Sequence, residues 1–187
     1  MTTWPRSALF RTRTMENSNQ RFPSIDRLNE RLIRTSRDLR SLGRRLRKER
    51  LTIVTTNGCF DLLHAGHLWI LSEAKRQGDV LIVGMNSDRS VRKLKGKLRP
   101  LTPQEERAEI LLALEWVDYV ALFHERECNQ FILRVCPDVH VNDDSYGVDC
   151  VEAPAVREVG ARLHLVPKLS TSSTTDLVSR IVEASSV

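Results

Sequence analysis

The chain has 187 residues, of which 41% are hydrophobic and 28% are charged, and its formal net charge is +5. These values fit one globular domain with an extension, and no apolar segment approaches the roughly 20 residues that a transmembrane helix needs. The charge is uneven: residues 1–50 carry 14 Lys and Arg against 5 Asp and Glu, whereas residues 51–187 carry 15 against 19. The basic character therefore belongs to an N-terminal arm.

The arm divides into two parts. Residues 1–23 have no apolar periodicity, so we predict a disordered basic tail without the continuous apolar stretch of a signal peptide. Residues 24–50 are predicted to form one basic amphipathic helix with Ser24 as its N-cap. The apolar stripe of this helix has spacings of three and four. Its members are Ile25, Leu28, Leu32, Leu39, Leu42 and Leu46, with Thr35 filling the gap.

Three roles for the arm are open. The stripe can pack on the main domain or on a second copy of the chain, which would give a homodimer. Nucleic-acid binding suits the charge, but residues 24–50 contain no stacking aromatic and no known binding motif. Membrane-surface binding suits a basic helix, but the stripe has no Trp or Phe. We therefore expect packing, with neither nucleic acid nor membrane as a partner.

From residue 51 to residue 187 the sequence alternates between strand and helix patterns. Strands are predicted at 51–56, 79–86, 119–123, 139–141 and 162–166. Helices are predicted at about 65–77, 103–115, 127–135, 150–159 and 174–184. Five strands separated by helices indicate an α/β, Rossmann-like, doubly wound five-stranded parallel sheet. In such a sheet, ligands bind beyond the carboxyl ends of the strands, where the strand order reverses.

Polar residues follow four of the five predicted strands, at the same edge of the sheet. They are the segments 56–67, 86–88, 142–146 and 170–175. Ordinary turn chemistry accounts for some of these residues. Their number at one edge nevertheless predicts a ligand cleft there.

The segment His64-Ala65-Gly66-His67 opens the first helix after residue 51. Two imidazoles three residues apart share one helix face, beside backbone N–H groups that have no partner within the helix. Such a helix start suits a phosphate, and Gly66 lets the ligand approach closely. Two alternatives are a pair of surface histidines and half of a zinc site with Cys59 as third ligand. The other cysteines, Cys128, Cys136 and Cys150, form no CxxC cluster that would complete such a site.

Two further segments suit polyanions. Residues 89–100 place six Lys and Arg around Gly96, although a solvated basic loop would have the same composition. Residues 170–175 are six consecutive Ser and Thr before the last predicted helix. One hydroxyl is enough to cap a helix, so the others are available to phosphate oxygens.

An ordered set of motifs resembles a known family. The motifs are TNGCFDLLHAGH at 56–67, IVGMNSD at 82–88, KGKLRP at 95–100, ERAE at 106–109, VDY at 117–119 and STT at 173–175. Over about residues 36–184 the chain resembles nucleotidyltransferases of the ADP-heptose synthase type, within the cytidylyltransferase-like superfamily that shares the HxGH motif.

The resemblance implies transfer of a nucleoside monophosphate from an NTP, with ATP favoured, to a sugar phosphate such as heptose 1-phosphate, with release of pyrophosphate. It implies catalytic roles for His64, His67 and Lys95. The implied nucleotide-binding residues are Thr56, Asn57, Gly58, Cys59, Phe60, Arg99, Arg107, Asn142, Asp143, Asp144, Ser173, Thr174 and Thr175. The implied acceptor-binding residues are Asp61, Asn86, Asp88 and Tyr146. Mg²⁺ would be held mainly by the nucleotide phosphates, with no dedicated protein ligands.

One segment departs from the family. ADP-heptose synthases read Lys-Gly-Gly-Asp-Tyr where this chain reads Asn-Asp-Asp-Ser-Tyr at 142–146. Two alternatives therefore stay open: a CTP-dependent cytidylyltransferase acting on a small polyol phosphate or phosphonate, and a nucleotide-sensing regulatory protein with a nucleic-acid-binding arm. The four cysteines and the nucleotide substrate indicate the cytoplasm.

Overall fold

A computed structural model describes residues 29–168 and 174–185 of the chain. The strands are Leu32–Ile33 (β1), Ile53–Gly58 (β2), Val80–Asn86 (β3), Tyr119–Phe123 (β4), Val139–Asp143 (β5) and Arg162–Val166 (β6). The helices are Ser36–Lys48 (α1), Ala65–Lys75 (α2), Asp88–Lys95 (α3), Gln104–Leu112 (α4), Asn129–Val135 (α5), Ala153–Glu158 (α6) and Thr174–Ala184 (α7). A short 3₁₀ helix, Asp144–Tyr146, follows β5.

The strands form one parallel sheet in the order β1-β4-β3-β2-β5-β6. The order reverses at β2, which pairs with β3 on one side and with β5 on the other. The predicted Rossmann-like, doubly wound fold is therefore confirmed. The predicted number of strands is wrong by one, because β1 adds a sixth strand beside β4.

Helices cover both faces of the sheet, and β3 lies between them with all seven of its residues buried. One hydrophobic core contains Leu71 and Ala74 of α2 together with Leu111 of α4. The other core lies on the opposite face, where α1, α5 and α6 pack. Burial on both faces explains why β3 reads as a continuous apolar run rather than an alternating pattern.

The single helix predicted over residues 24–50 is interrupted: residues 29–31 are helical, β1 follows at Leu32–Ile33, and α1 comes after it. Leu32, which the stripe included, lies in β1 opposite Val120 of β4. The helix begins at Ser36, where the Thr35 hydroxyl accepts a 3.1 Å hydrogen bond from the Asp38 backbone N–H. Thr35 is thus an N-cap rather than a member of the stripe, because its hydroxyl satisfies an N–H that has no partner within the helix. The predicted cap at Ser24 and the stripe residues Ile25 and Leu28 lie outside the described residues.

The rest of the stripe packs on the main domain, as one of the alternatives expected. Leu39, Leu42 and Leu46 are buried in the same core as residues of α5 and α6. The approach of α1 to α5 is close at Gly43, where an added Cβ would lie 2.5 Å from the carbonyl oxygen of Val135. A glycine is therefore required at this crossing.

The basic segment 89–100 is helical over its first half rather than a loop. Ser87 caps α3 by accepting a hydrogen bond from the Ser90 N–H, and Val91 packs inward. The helix ends at Gly96, whose φ of +93° lies in a region that favours glycine. This geometry leaves Lys95 exposed at the end of α3. Among the described residues, no helix is both long and apolar enough to cross a membrane.

Candidate active site

A cleft of about 510 Å³ opens at the carboxyl ends of the central strands. Residues that follow β2, β3, β4, β5 and β6 all contribute to its walls, as the topology of a doubly wound sheet requires. The cleft therefore lies where the strand order reverses.

His64 and His67 lie together in this cleft at the start of α2. His64 is the N-cap residue and has no side-chain capping bond, and the His67 N–H donates to the His64 carbonyl oxygen at 2.9 Å. The two imidazole rings stack with their centroids 3.8 Å apart. The Phe60 ring also contacts His67, with the ring centroids 5.1 Å apart and the planes tilted by 51°. The HxGH motif thus presents two stacked imidazoles to the cleft.

The surroundings of His67 favour its neutral form. Burial, and then the positive charges that His64 and Lys95 can carry, lower the pKa of His67 to about 3. The His67 Nδ1 atom is buried and has no hydrogen-bond partner among the described residues. A polyanion in the cleft would reverse this electrostatic balance, because negative charge stabilises the protonated imidazole.

Three further cations line the cleft. Lys95 contributes from the end of α3, Arg126 from the loop after β4 and Lys168 from the loop after β6. All three residues are exposed, and none forms an ion pair within the described parts of the chain. They are available to a negatively charged ligand.

The start of α7 reaches the same cleft. Thr174 lines it, and the Thr174 hydroxyl lies 3.5 Å from the Leu62 carbonyl oxygen. Ser173 lies outside the described residues, and for Thr175 only its position in α7 is described. The start of this helix therefore borders the loop that carries the two histidines.

The structure brings most of the predicted site residues to the cleft and leaves five elsewhere. Those that line the cleft are Asn57, Gly58, Cys59, Phe60, Asp61, His64, His67, Asn86, Lys95, Asn142, Asp143, Tyr146 and Thr174. Those outside its lining are Thr56, Asp88, Arg99, Arg107 and Asp144.

Arg107 is buried beneath the cleft, with 1% of its surface exposed. Its guanidinium donates to the carbonyl oxygens of Thr102, Cys59 and Asn86 and forms a 2.8 Å ion pair with Asp88. Each of its nitrogens therefore already has a protein acceptor. In the structure Arg107 holds the loops after β2 and β3 together, and the nucleotide-binding role that the resemblance implied for it stays a prediction.

Asp61 and Arg99 form a second buried contact. The Asp61 carboxylate accepts hydrogen bonds from the Arg99 guanidinium at 2.8 Å and from the backbone N–H groups of Leu101 and Thr102. Burial opposes ionisation of Asp61, but the Thr102 N–H, the Arg99 guanidinium and the Leu101 N–H together lower its pKa. This ion pair fastens the loop after α3 to the loop after β2.

A carboxylate that the sequence analysis missed organises the opposite part of the cleft. Glu152 Oε1 accepts from Asn57 Nδ2 at 3.4 Å, and Glu152 Oε2 accepts from Asn142 Nδ2 at 3.3 Å. The Cys128 thiol also points to Glu152 Oε1, at 3.5 Å. Glu152 immediately precedes α6 and lines the cleft.

Other lining residues were also missed, and one of them could have been found. Arg126 follows β4, so applying the strand-end rule to residues 119–123 would have predicted it. Trp69 lies on α2 and its indole N–H donates to the Pro167 carbonyl oxygen at 3.0 Å, a contact without a sequence signal. Within the described parts of the chain, no group of three or more His, Cys, Asp or Glu is placed to hold a metal ion.

The sequence matches one family model and many curated relatives. The cytidylyltransferase-like family model matches residues 55–183. The bifunctional protein HldE of Syntrophotalea carbinolica is 42% identical over 154 residues, which are 82% of this chain and 31% of that protein. The bifunctional protein HldE of Wolinella succinogenes is 46% identical over 148 residues, which are 78% of this chain and 30% of that protein. The matched region thus spans less than a third of the curated relatives' length.

Two solved structures share the fold. A lipopolysaccharide core biosynthesis protein from Thermoplasma volcanium is 28% identical with a TM-score of 0.52, over 65% of this chain and 99% of that one. Pantoate-beta-alanine ligase from Francisella tularensis is 15% identical with a TM-score of 0.53, over 81% of this chain and 78% of that one, and shows the fold alone. With the family model and the curated relatives, these findings confirm the resemblance found in the motifs. The chain belongs to the cytidylyltransferase-like family.

Proposed function

We propose that the cleft transfers an adenylyl group from ATP to a sugar phosphate such as heptose 1-phosphate and releases pyrophosphate. The observation that carries this proposal is the stacked pair of His64 and His67 at the start of α2, inside a cleft that Lys95 and Thr174 also line. The pair offers imidazole donors beside a helix N-terminus, where a phosphate chain is favoured.

The reaction needs little acid–base chemistry. A phosphate oxygen of the acceptor attacks the α-phosphorus of the nucleotide, and the bond from that phosphorus to the bridging oxygen of pyrophosphate breaks. The attacking phosphate monoester is already mostly dianionic at neutral pH, because its second pKa is about 6. The protein must therefore hold the reactants in line and stabilise the negative charge that spreads over the phosphates.

The imidazole donors and the cations of the cleft can supply that stabilisation. His64 and His67 would act at the α-phosphate, and Lys95 would act at the β- and γ-phosphates. The exposed side chains of Arg126 and Lys168 add positive charge from the loops after β4 and β6. Fixed donors in a partly closed cleft act more strongly than the same groups in water.

Mg²⁺ is the proposed cofactor, held mainly through the nucleotide phosphates. Asp143 and Glu127 are cleft-lining carboxylates that could add a ligand, and the described residues contain no larger cluster. When bound, the ion would neutralise part of the triphosphate charge. Oxygen ligands of this kind suit Mg²⁺ better than zinc.

The choice of adenylyl transfer and of a sugar phosphate is supported by the relatives. The chain is 42–46% identical to proteins named HldE, and the resemblance in its motifs is to the ADP-heptose synthase type. The proposed compartment is the cytoplasm, where nucleotides are available and where the four thiols, all free in the structure, would stay reduced.

A matrix of substrates tests the proposal. The purified protein is incubated with Mg²⁺, each of ATP, CTP, GTP and UTP, and each of several sugar and polyol phosphates, and pyrophosphate release is measured. We expect the highest kcat/KM with ATP and an aldose 1-phosphate. Preference for CTP with a polyol phosphate would replace the proposed substrates, and no turnover in any well would contradict the enzyme assignment.

A further inference from the structure

The strands β2 and β5 separate towards their carboxyl ends, and the residues beside this opening support a further inference. The two strands pair at Val54 with Val139 and at Thr55 with His140, and their ladder ends there. Continuing the same register by two residues places Asn57 opposite Asn142. On its other side, β2 stays paired with β3 as far as Gly58. Asn57 and Asn142 therefore stand across the gap in the sheet that forms the floor of the cleft.

The Glu152 carboxylate bridges the two strand ends across this gap. One of its oxygens accepts from the Asn57 amide and the other accepts from the Asn142 amide, so a single side chain joins the two separated strand ends. The remaining atoms of Asn142 are also fixed, because the Asn142 Oδ1 atom accepts from the Asp143 N–H at 3.0 Å. Each amide is thereby held in one of its two rotational orientations.

The charge of Glu152 is compensated by neutral donors alone. Among the described residues no Lys, Arg or His lies within salt-bridge distance of it, and its partners include two amides and the thiols of Cys128 and Cys150. The Glu152 charge also acts on two neighbouring thiols. Burial is the main cause that raises the pKa of Cys128 and of Cys150, and the negative charge of Glu152 is the second cause. A carboxylate without a cation repels phosphate and attracts hydrogen-bond donors.

We propose that Glu152 is a positioning residue that fixes the amides of Asn57 and Asn142 and so selects the uncharged, hydrogen-bond-donating part of a substrate. That part is an amine or hydroxyl group, either of the nucleoside or of the acceptor. The inference rests on the proposed function, because it assigns phosphates to the histidine and lysine side of the cleft. Glu152 acts on affinity and selectivity, whereas His64, His67 and Lys95 act on the phosphates.

The Glu152→Gln variant tests the inference with almost no change of shape. Glutamine has one acceptor and one donor where glutamate has two acceptors, so the donor side of Gln would face an amide donor. If the Asn142 amide turned to avoid this, its NH₂ group would face the Asp143 N–H instead. At least one amide is therefore misoriented. We expect KM for one substrate to rise at least tenfold while kcat changes less than threefold and Tm is retained.

A second substitution should restore the hydrogen-bond pattern between residues 152 and 142 that Glu152→Gln disrupts. Asn142→Asp alone places two carboxylates together and should weaken substrate binding at least as strongly as Glu152→Gln. The double variant Glu152→Gln, Asn142→Asp has the wild-type net charge, and its Gln amide can donate to the new carboxylate. We expect KM of the double variant to return to within about threefold of wild type. A merely structural role of Glu152 would not produce this reciprocal rescue.

The control is Glu158→Gln, which makes the same change of charge at an exposed position of the same helix. KM for the nucleotide and KM for the acceptor are measured separately for all five proteins, so that the ligand recognised by the pair is identified. An unchanged KM in active Glu152→Gln enzyme, or a double variant no better than its worse parent, overturns the inference alone. Absence of turnover in wild type and in Glu158→Gln overturns the proposed function.

Discussion

Two groups of motif residues differ in where their side chains lie. His64, His67 and Lys95 present side chains to the open cleft, whereas Arg107, beneath the cleft, and Asp61, at its wall, are buried and hold loops together. Both groups belong to the same ordered set of motifs. A family motif therefore reflects two requirements: side chains that face the cleft, and buried ion pairs that keep those side chains in position.

Substitution of Arg107 should have the largest effect on stability. Arg107→Met would leave the Asp88 carboxylate and three carbonyl oxygens without their donor, and breaking a buried pair of this kind costs about 3–5 kcal/mol. The free energy of unfolding is measured by urea titration. Arg34→Met is the control, because both side chains of the Arg34–Glu105 pair are exposed and the pair should contribute less than about 1 kcal/mol. Normal stability with lost activity would instead make Arg107 a ligand-contacting residue.

Substitution of His67 should lower activity and leave stability unchanged, whereas substitution of Arg107 should lower stability. His67→Ala removes a donor placed for the charge of the transition state, so we expect kcat to fall about 10²–10³-fold. The melting temperature should stay close to that of wild type. His124→Ala, at an exposed histidine outside the cleft lining, should retain full activity. A kcat within a factor of three of wild type would remove His67 from the proposed chemistry.

Asp61 should give an intermediate result. Asp61→Asn keeps the shape but replaces one acceptor oxygen by a donor that faces Arg99 or the Leu101 and Thr102 N–H groups. We expect a loss of about 1–3 kcal/mol in the free energy of unfolding. Because Asp61 fastens the loop that follows Lys95, KM for the nucleotide should also rise. Asp149→Asn, at an exposed aspartate outside the cleft lining, is a control for the change of charge.

A pH dependence comes last, because close to neutral pH it is smaller than the effects above. The pKa of folded His67 is about 3, below the ordinary value near 6.5, so the unfolded chain takes up a proton first as pH falls. The free energy of unfolding therefore falls between pH 6.5 and pH 3, by at most about 1.4 kcal/mol per pH unit for this group. Buried His140, with a pKa lowered to about 4, contributes with the same sign.

Urea titrations at pH 7, 6 and 5 measure this slope in wild type and in His67→Gln. The variant should have a shallower slope, by up to one proton, because the glutamine does not titrate. Asp61 does not interfere in this range, because its lowered pKa places its own loss of stability below about pH 4. Identical slopes would mean that His67 titrates normally in the folded protein.

The sheet and the cleft could be predicted from sequence because their signals are local. The apolar run of β3 and the polar residues after β2 and β5 are contiguous in the chain, and parallel topology then places the strand ends together. The strand β1 could not be predicted, because two residues are too few for any periodicity. In addition, the spacing of Leu32 from the neighbouring apolar residues fits a helix, so this residue falls in the predicted helical stripe.

The role of Glu152 could not be predicted for a different reason. It lies nine residues after the end of β5, in a turn before α6, and nothing in its neighbourhood marks it as part of the cleft. Its position depends on how the loop after β5 folds back over the gap between β2 and β5. The inward direction of Arg107 likewise depends on carbonyl groups that are distant in sequence.

The two residues of β1 have a consequence for self-association. Without them, β4 would form the outer edge of the sheet, and its sequence YVALF is a short, uncharged and β-favouring segment of the kind that recruits strands from other molecules. Leu32 and Ile33 occupy that edge, and Arg31 and Arg34 flank them with positive charge. Charged residues beside a short edge strand discourage further pairing. The segment 31–34 thus protects the edge of the sheet against aggregation and also completes the fold.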